Sequence, residues 1–183
     1  NMYTYLHNES HSQILRSLDN AQTWQTFFTS SDLQINQATF SLKLEAGHLY
    51  ASGRDGRILK IDLEGNLLQT IDTGGELIQS IEIIDESNWI VDVSGKVLKT
   101  SNGGETFTTI HEQSGKIVAF QNPDKGLMVL QTSFCPVDFV LANDVIAFTA
   151  NGGVFWEMGE ETANVQQGIS NGYITSNNSY VFV

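Results

Sequence analysis

Paired carboxylates are the chemistry for which this 183-residue chain holds the most raw material, with 21 Asp and Glu residues. Two of them facing each other across a cleft, about 5 to 10 Å apart, hydrolyse a glycosidic bond, one as acid and the other as base or nucleophile. Asp55, Asp62, Asp85, Asp92, Asp138 and Asp144 are the candidates, yet their spacing pairs none with another. In so acidic a chain the plainer reading is surface and turn carboxylates. Of the histidines His7, His11, His48 and His111, only His7 and His11 stand close enough to share one face of a strand, short of the three or four ligands of a zinc site, so no metal is expected.

Cys135, in Phe134-Cys135-Pro136, is the only cysteine, which excludes an intrachain disulfide. A nucleophilic thiol needs an activating base or cation, none accompanies it in sequence, and a core thiol is expected. No Gly-x-Gly-x-x-Gly opens a helix, and no phosphate-binding loop or Gly-x-Ser-x-Gly elbow occurs, so no cofactor is expected. The basic turn Gly53-Arg54-Asp55-Gly56-Arg57 makes Arg54 and Arg57 weak candidates for a partner contact. Asn8-Glu9-Ser10 and Asn177-Asn178-Ser179 fit the glycosylation acceptor pattern.

The net charge of −12 would repel a nucleic acid backbone or an anionic membrane surface. With 40% apolar and 16% charged residues the chain has the composition of a globular protein, and one domain spanning residues 1–183 is expected. No apolar run approaches the roughly 18 to 20 residues of a membrane-spanning helix, so no membrane insertion is expected.

Strands are the frame that carries these residues. Apolar residues alternate at Phe40, Leu42 and Leu44, at Leu59 and Ile61, at Ile81 and Ile83, and at Val91 and Val93, the two-residue period of half-buried strands. Turn signals such as Gly47-His48, Glu64-Gly65-Asn66, Ser94-Gly95 and Asn102-Gly103-Gly104 recur at fairly even spacing, which favours antiparallel neighbours joined in a meander.

Three segments repeat: Ser17-Leu18-Asp19-Asn20-Ala21-Gln22-Thr23-Trp24, Thr100-Ser101-Asn102-Gly103-Gly104-Glu105-Thr106-Phe107 and Thr149-Ala150-Asn151-Gly152-Gly153-Val154-Phe155-Trp156. The first two are two units of about 41 residues apart, and Ile58 to Asn66 fills the gap with a strand and an acidic turn that lacks the aromatic. Four short strands in about 40 residues match one propeller blade. The expected fold is therefore all-β: a β-propeller-like array of four-stranded antiparallel blades, about four to five in number, in units 1–32, 33–75, 76–115, 116–168 and 169–183. Strands at Tyr173 to Thr175 and Tyr180 to Val183 are expected either to complete the N-terminal blade and close a small ring or to belong to a truncated or partial one.

The octapeptides resemble the Asp-box, or BNR, repeat, Ser/Thr-x-Asp/Asn-x-Gly-x-Thr/Ser-Trp/Phe. Thr100 to Phe107 fits every defined position, Ser17 to Trp24 has Ala21 for glycine, and Thr149 to Trp156 has Phe155 for the hydroxyl. The resemblance implies that Ser17, Asp19, Thr23, Trp24, Thr100, Asn102, Gly104, Thr106, Phe107, Thr149, Asn151, Gly153 and Trp156 hold hairpin turns and shape the fold, with no catalytic role.

It also implies an extracytoplasmic protein, but leaves function open, because the repeat is shared by sialidases, other glycosidases, receptors and assembly factors. A sialidase gathers several arginines on its substrate's carboxylate; this chain has only Arg16, Arg54 and Arg57. The expected function is a non-enzymatic binding or scaffold module presenting a propeller face to a protein or glycan. A carbohydrate-active enzyme is the alternative, and self-association through open blade edges a further expectation.

Overall fold

The computed structural model describes residues 1–7, 12–30, 41–52, 55–74, 77–112, 117–131, 144–161, 172–174 and 180–182. Arg54, Cys135, Asp138 and both glycosylation triplets lie outside the described residues.

Every regular element among the described residues is a strand, and each strand pairs antiparallel with its neighbour in sequence. The first sheet has three strands, β1 (Met2–His7), β2 (Ser12–Ser17) and β3 (Gln25–Ser30). The next three have four each: β4 (Ser41–Glu45), β5 (His48–Ser52), β6 (Arg57–Ile61) and β7 (Leu67–Asp72); β8 (Ile78–Ile83), β9 (Trp89–Val93), β10 (Lys96–Thr100) and β11 (Thr108–His111); β12 (Ile117–Phe120), β13 (Gly126–Gln131), β14 (Asp144–Thr149) and β15 (Glu157–Glu161). A two-stranded sheet follows, β16 (Gly172–Ile174) and β17 (Tyr180–Phe182). These sheets form a β-propeller-like array of antiparallel blades.

The repeated octapeptides fix the registry between blades. Thr100 to Phe107 and Thr149 to Trp156 join the third and fourth strands of their sheets, and Ser17 to Trp24 joins β2 to β3. The first sheet therefore contains strands two to four of a blade. The strands β4, β8 and β12 lie side by side, β16 lies beside β12, and all four hold the first position in their units. The C-terminal strands thus do not complete the N-terminal sheet: β16 pairs with β17 and continues the series of first strands, because its place is set by packing beside β12.

Among the described residues three apolar clusters fill the spaces between the first four sheets. Ile14, Leu49, Ala51, Leu59 and Ile61 pack with Tyr3, Tyr5, Phe27 and Phe28 between the first and second. Tyr50, Ile58 and Ile71 meet Ile81, Trp89, Val91 and Leu98 between the second and third, and Ile90 and Val97 meet Phe120, Met128 and Ala147 between the third and fourth.

Successive side chains on a strand point to opposite faces, so neighbours such as Leu49 and Tyr50 serve different clusters. The half-buried pattern read from sequence describes the outer strand β7, whose positions are mostly exposed, but not β9, which is buried at all five. A central strand with a sheet on either side has no solvent face, and so reads as a continuous apolar run.

Candidate functional site

The three octapeptide turns share one hydrogen-bond scheme. Thr100 Oγ1 donates to Asn102 Oδ1 at 2.8 Å and accepts from the Gly104 amide at 3.0 Å, while Asn102 Oδ1 accepts from the Thr106 amide at 3.0 Å. Thr149 Oγ1 likewise donates to Asn151 Oδ1 and accepts from the Gly153 amide, and Asn151 Oδ1 accepts from the Phe155 amide. Ser17 Oγ donates to Asp19 Oδ1 and accepts from the Ala21 amide, and Asp19 accepts from the Thr23 amide. One short polar side chain thus satisfies turn amides that the sheet cannot reach.

Asp and Asn reverse one bond. Thr23 Oγ1 donates to Asp19 Oδ2 at 2.6 Å, whereas Asn102 Nδ2 donates to Thr106 Oγ1 at 2.9 Å. The bonds from the Thr23 side chain and amide, with that from Ser17, hold the Asp19 carboxyl down at about 2. In the second blade a shorter turn uses the same device: Asp62 accepts from the amides of Glu64 and Asn66, and its pKa is lowered chiefly by the Asn66 side chain.

The glycines are required by close packing against the preceding blade and, at Gly104, also against Trp89 of its own blade. Gly104 and Gly153 both have φ of +89°, and a Cβ would lie 2.9 Å from Ile71 and Trp89 at the first and 2.7 Å from Ile110 at the second. Ala21, at the same position in the first sheet, takes φ of +68° and is exposed. Of the motif aromatics, Phe107 packs against the core between the second and third blades. Trp156 packs against the core between the third and fourth and donates Nε1–H to Ile110 O at 3.0 Å, while Trp24 stays 37% exposed.

A feature unforeseen from sequence lies just before each hydroxyl. Arg16 reaches from the first blade to Leu63 O in the second blade's turn, at 3.0 Å. Lys99 reaches from the third blade to Pro123 O at 2.6 Å and Gly152 O at 3.4 Å, both in turns of the fourth. In the fourth blade Phe148 holds that place. Beside it opens a surface cavity of about 480 Å³, bordered by Gln121, Lys125, Phe148, Asn151, Phe155 and Glu157. Val154 and Phe155 at its turn are 86% and 68% exposed. The sequence signal was available: Arg16, Lys99 and Phe148 share one repeat position, and Phe155 breaks the hydroxyl consensus.

Of the arginine candidates, Arg57 donates Nε–H to Asp55 Oδ2 at 2.7 Å and forms an ion pair with it, in the loop between β5 and β6. This loop lies at the opposite end of the strands from the octapeptide turns, so the structure does not bring Arg57 to the cavity. Among the described residues no group of three or more His, Cys, Asp or Glu side chains is placed to hold a metal ion, and no helix is long and apolar enough to cross a membrane.

The sheets and their shared turn geometry define a protein of the β-propeller class. The structure of YCF48 bound to D1 peptide superposes with a TM-score of 0.60 at 13% identity, covering 99% of this chain and 60% of that one. This chain therefore spans 60% of the length of that protein's chain. The computationally designed Ika8 protein matches with a TM-score of 0.55 at 13% identity over 98% of this chain and 54% of its own. The designed Ika4 protein matches at 0.53 and 12% identity over 87% of this chain and 97% of its own. At these identities the likeness is one of fold. No family model matches the chain, and no curated protein matches it.

Proposed function

We propose that this chain is a protein-binding propeller module of the Asp-box kind, working as a scaffold outside the cytoplasm. The observation that carries the reading is the open cavity at the turn end of the fourth blade. It combines an exposed aromatic, Phe155, with Lys125 and Glu157 in one concave surface. An apolar body with polar groups of both signs suits a peptide, whose backbone offers donors and acceptors beside its side chains. The fold's likeness to a propeller captured with a peptide bound supports the same reading.

A protein ligand is preferred to a glycan because Val154 and Phe155 project at the rim as protruding apolar side chains. Among the described residues Glu157 is the one carboxylate bordering the cavity, whereas hydrolysis by paired carboxylates requires two. The test is selection of the purified domain against a displayed random peptide library, followed by fluorescence anisotropy on the enriched peptides. Saturable binding at micromolar concentration, with mutual competition, is the expected result. Failure to enrich any peptide, with calorimetric binding of β-linked oligosaccharides instead, would overturn the reading.

A further inference from the structure

The same tripeptide stands at the same place in two blades, Asn102-Gly103-Gly104 in the third and Asn151-Gly152-Gly153 in the fourth. Asparagine before glycine is prone to lose its side-chain nitrogen as ammonia, because no Cβ keeps the glycine nitrogen away from the carboxamide carbon. In an unfolded chain the two copies would react alike. Folded, they share their backbone: Gly103 and Gly152 both have φ of +69°, and Gly104 and Gly153 both have +89°. Each attacking nitrogen is also held alike, with Gly103 N–H donating to Ser87 O at 2.9 Å and Gly152 N–H to Asp124 O at 2.8 Å. A difference in reactivity must therefore come from the side chains around them.

The carboxamide of Asn102 is held at both ends: Oδ1 accepts from Thr100 Oγ1 and the Thr106 amide, and Nδ2 donates to Thr106 Oγ1 at 2.9 Å. Asn151 is held only at Oδ1, by Thr149 Oγ1 and the Phe155 amide, because Phe155 stands where Thr106 supplies its hydroxyl. Its Nδ2, the atom that must leave, has no hydrogen-bond partner among the described residues. Lys99 is the second difference. Its Nζ lies against Gly152 where a Cβ would stand, and donates to Gly152 O at 3.4 Å. An ammonium there favours the negative charge that develops as the Gly152 nitrogen gives up its proton and attacks. Beside Gly103 stands the Glu86 carbonyl oxygen instead, 3.2 Å from where a Cβ would lie.

We infer that Asn151 is a site of spontaneous modification in the folded protein, deamidating through a succinimide, while the turn of the third blade protects Asn102. The Gly152 nitrogen, its proton passed to hydroxide, bonds to Asn151 Cγ; the Cγ–Nδ2 bond breaks, and Nδ2 leaves as ammonia with a proton taken from water. Water then opens the ring at either carbonyl, giving aspartate, or isoaspartate with the main chain running through the former side chain. The aspartate product keeps the bonds that close the turn, as Asp19 does in the first blade, but lacks the hydroxyl that Thr23 offers there. Asn151 borders the cavity, so either product adds a carboxylate to its wall. The modification does not depend on the protein-binding reading, and its failure would leave that reading untouched.

The test holds the purified protein at mildly basic pH, with its fold checked by circular dichroism, and follows both asparagines over weeks by peptide mapping and mass spectrometry. Asn151 should deamidate about fivefold or more faster than Asn102, the ratio that one hydrogen bond supports, and in urea the two rates should converge. Exchanging the deciding residues gives the second reading. Phe155→Thr should slow Asn151 and Thr106→Val should speed Asn102, each by about the same factor, and both positions are exposed. Equal rates in the folded protein would overturn the inference, leaving the shared backbone of the turn in control. A difference that persists in urea would also overturn it, by assigning the effect to the preceding residues Ser101 and Ala150. So would rates that ignore both substitutions.

Discussion

A Cβ on Gly153 would lie 2.7 Å from the Cβ of Ile110 on the preceding blade, closer than two such carbons can stand. The same closeness recurs at Gly104 against Ile71 and Trp89, both at 2.9 Å. The glycine of the repeated turn thus serves two needs at once, a left-handed φ and the contact between blades.

Gly104→Ala and Gly153→Ala should each destabilise the protein by about 2–4 kcal/mol, combining left-handed strain with overpacking. Ala21→Gly, at an exposed position already in that conformation, should change stability by less than about 1 kcal/mol. Urea unfolding of the three variants checks the contrast; equal effects at all three positions would show that the turn's φ alone matters.

Thr100 is buried, and its hydroxyl accepts from the buried Gly104 amide. Thr100→Val keeps the shape and leaves that amide unpaired, at a cost of about 1–3 kcal/mol. Thr100→Ser should cost less than half as much, since Ser17 performs the same task in the first blade. Chemical denaturation distinguishes the two variants.

The Asp19 carboxyl is held at about 2, below its ordinary 3.8, chiefly by the Thr23 hydroxyl. A lowered pKa in the folded state means that folding favours the charged form. The contribution is complete above the unfolded value near 3.8 and is lost as pH falls toward 2. Asp19→Asn should retain the turn, with Thr23 accepting instead of donating as Thr106 does, and should flatten the acid limb of stability. Thermal unfolding of parent and variant across pH 2 to 5 reads the difference, and superimposable profiles would count against this assignment.

Tyr50 is fully buried, its ring 5.1 Å from Trp89, and its hydroxyl has no hydrogen-bond partner among the described residues. Burial, reinforced by Glu86 and Glu45, pushes its pKa up to about 12. Tyr50→Phe removes an unsatisfied polar group and should leave stability unchanged or raise it by up to about 2 kcal/mol. Because the folded state favours the neutral phenol, the parent's Tyr50 contribution falls as pH rises from 10 toward 12, and the variant should lack that loss. Urea midpoints at pH 7 and above 10 test both statements.

The octapeptides reveal themselves in sequence because their roles are local. A hydroxyl, an Asp or Asn two residues on, and residues that accept positive φ close a turn through bonds spanning two to four residues. The meander was legible for the same reason, since each strand pairs with its sequence neighbour, and the alternating pairs Ile81 with Ile83 and Val91 with Val93 fall in β8 and β9. The placement of β16 and β17 was not legible, because it depends on packing beside β12 rather than on any local preference. The cavity escaped notice for a related reason. Phe148, Lys125 and Phe155 are ordinary residues in sequence and become one surface only when two turns of the same blade meet.

The strand period, the turn chemistry and the repeat of about 41 residues follow from the order of residues alone, because hydrogen bonds and side-chain alternation within a few residues set them. Which faces meet, why Gly104 and Gly153 are glycine while Ala21 need not be, and that Arg16 and Lys99 clasp the next blade whereas Phe148 borders a cavity emerge from the packed blades. Those relations join residues on different sheets. Their distances follow from how whole blades stack, which no short stretch of the chain encodes.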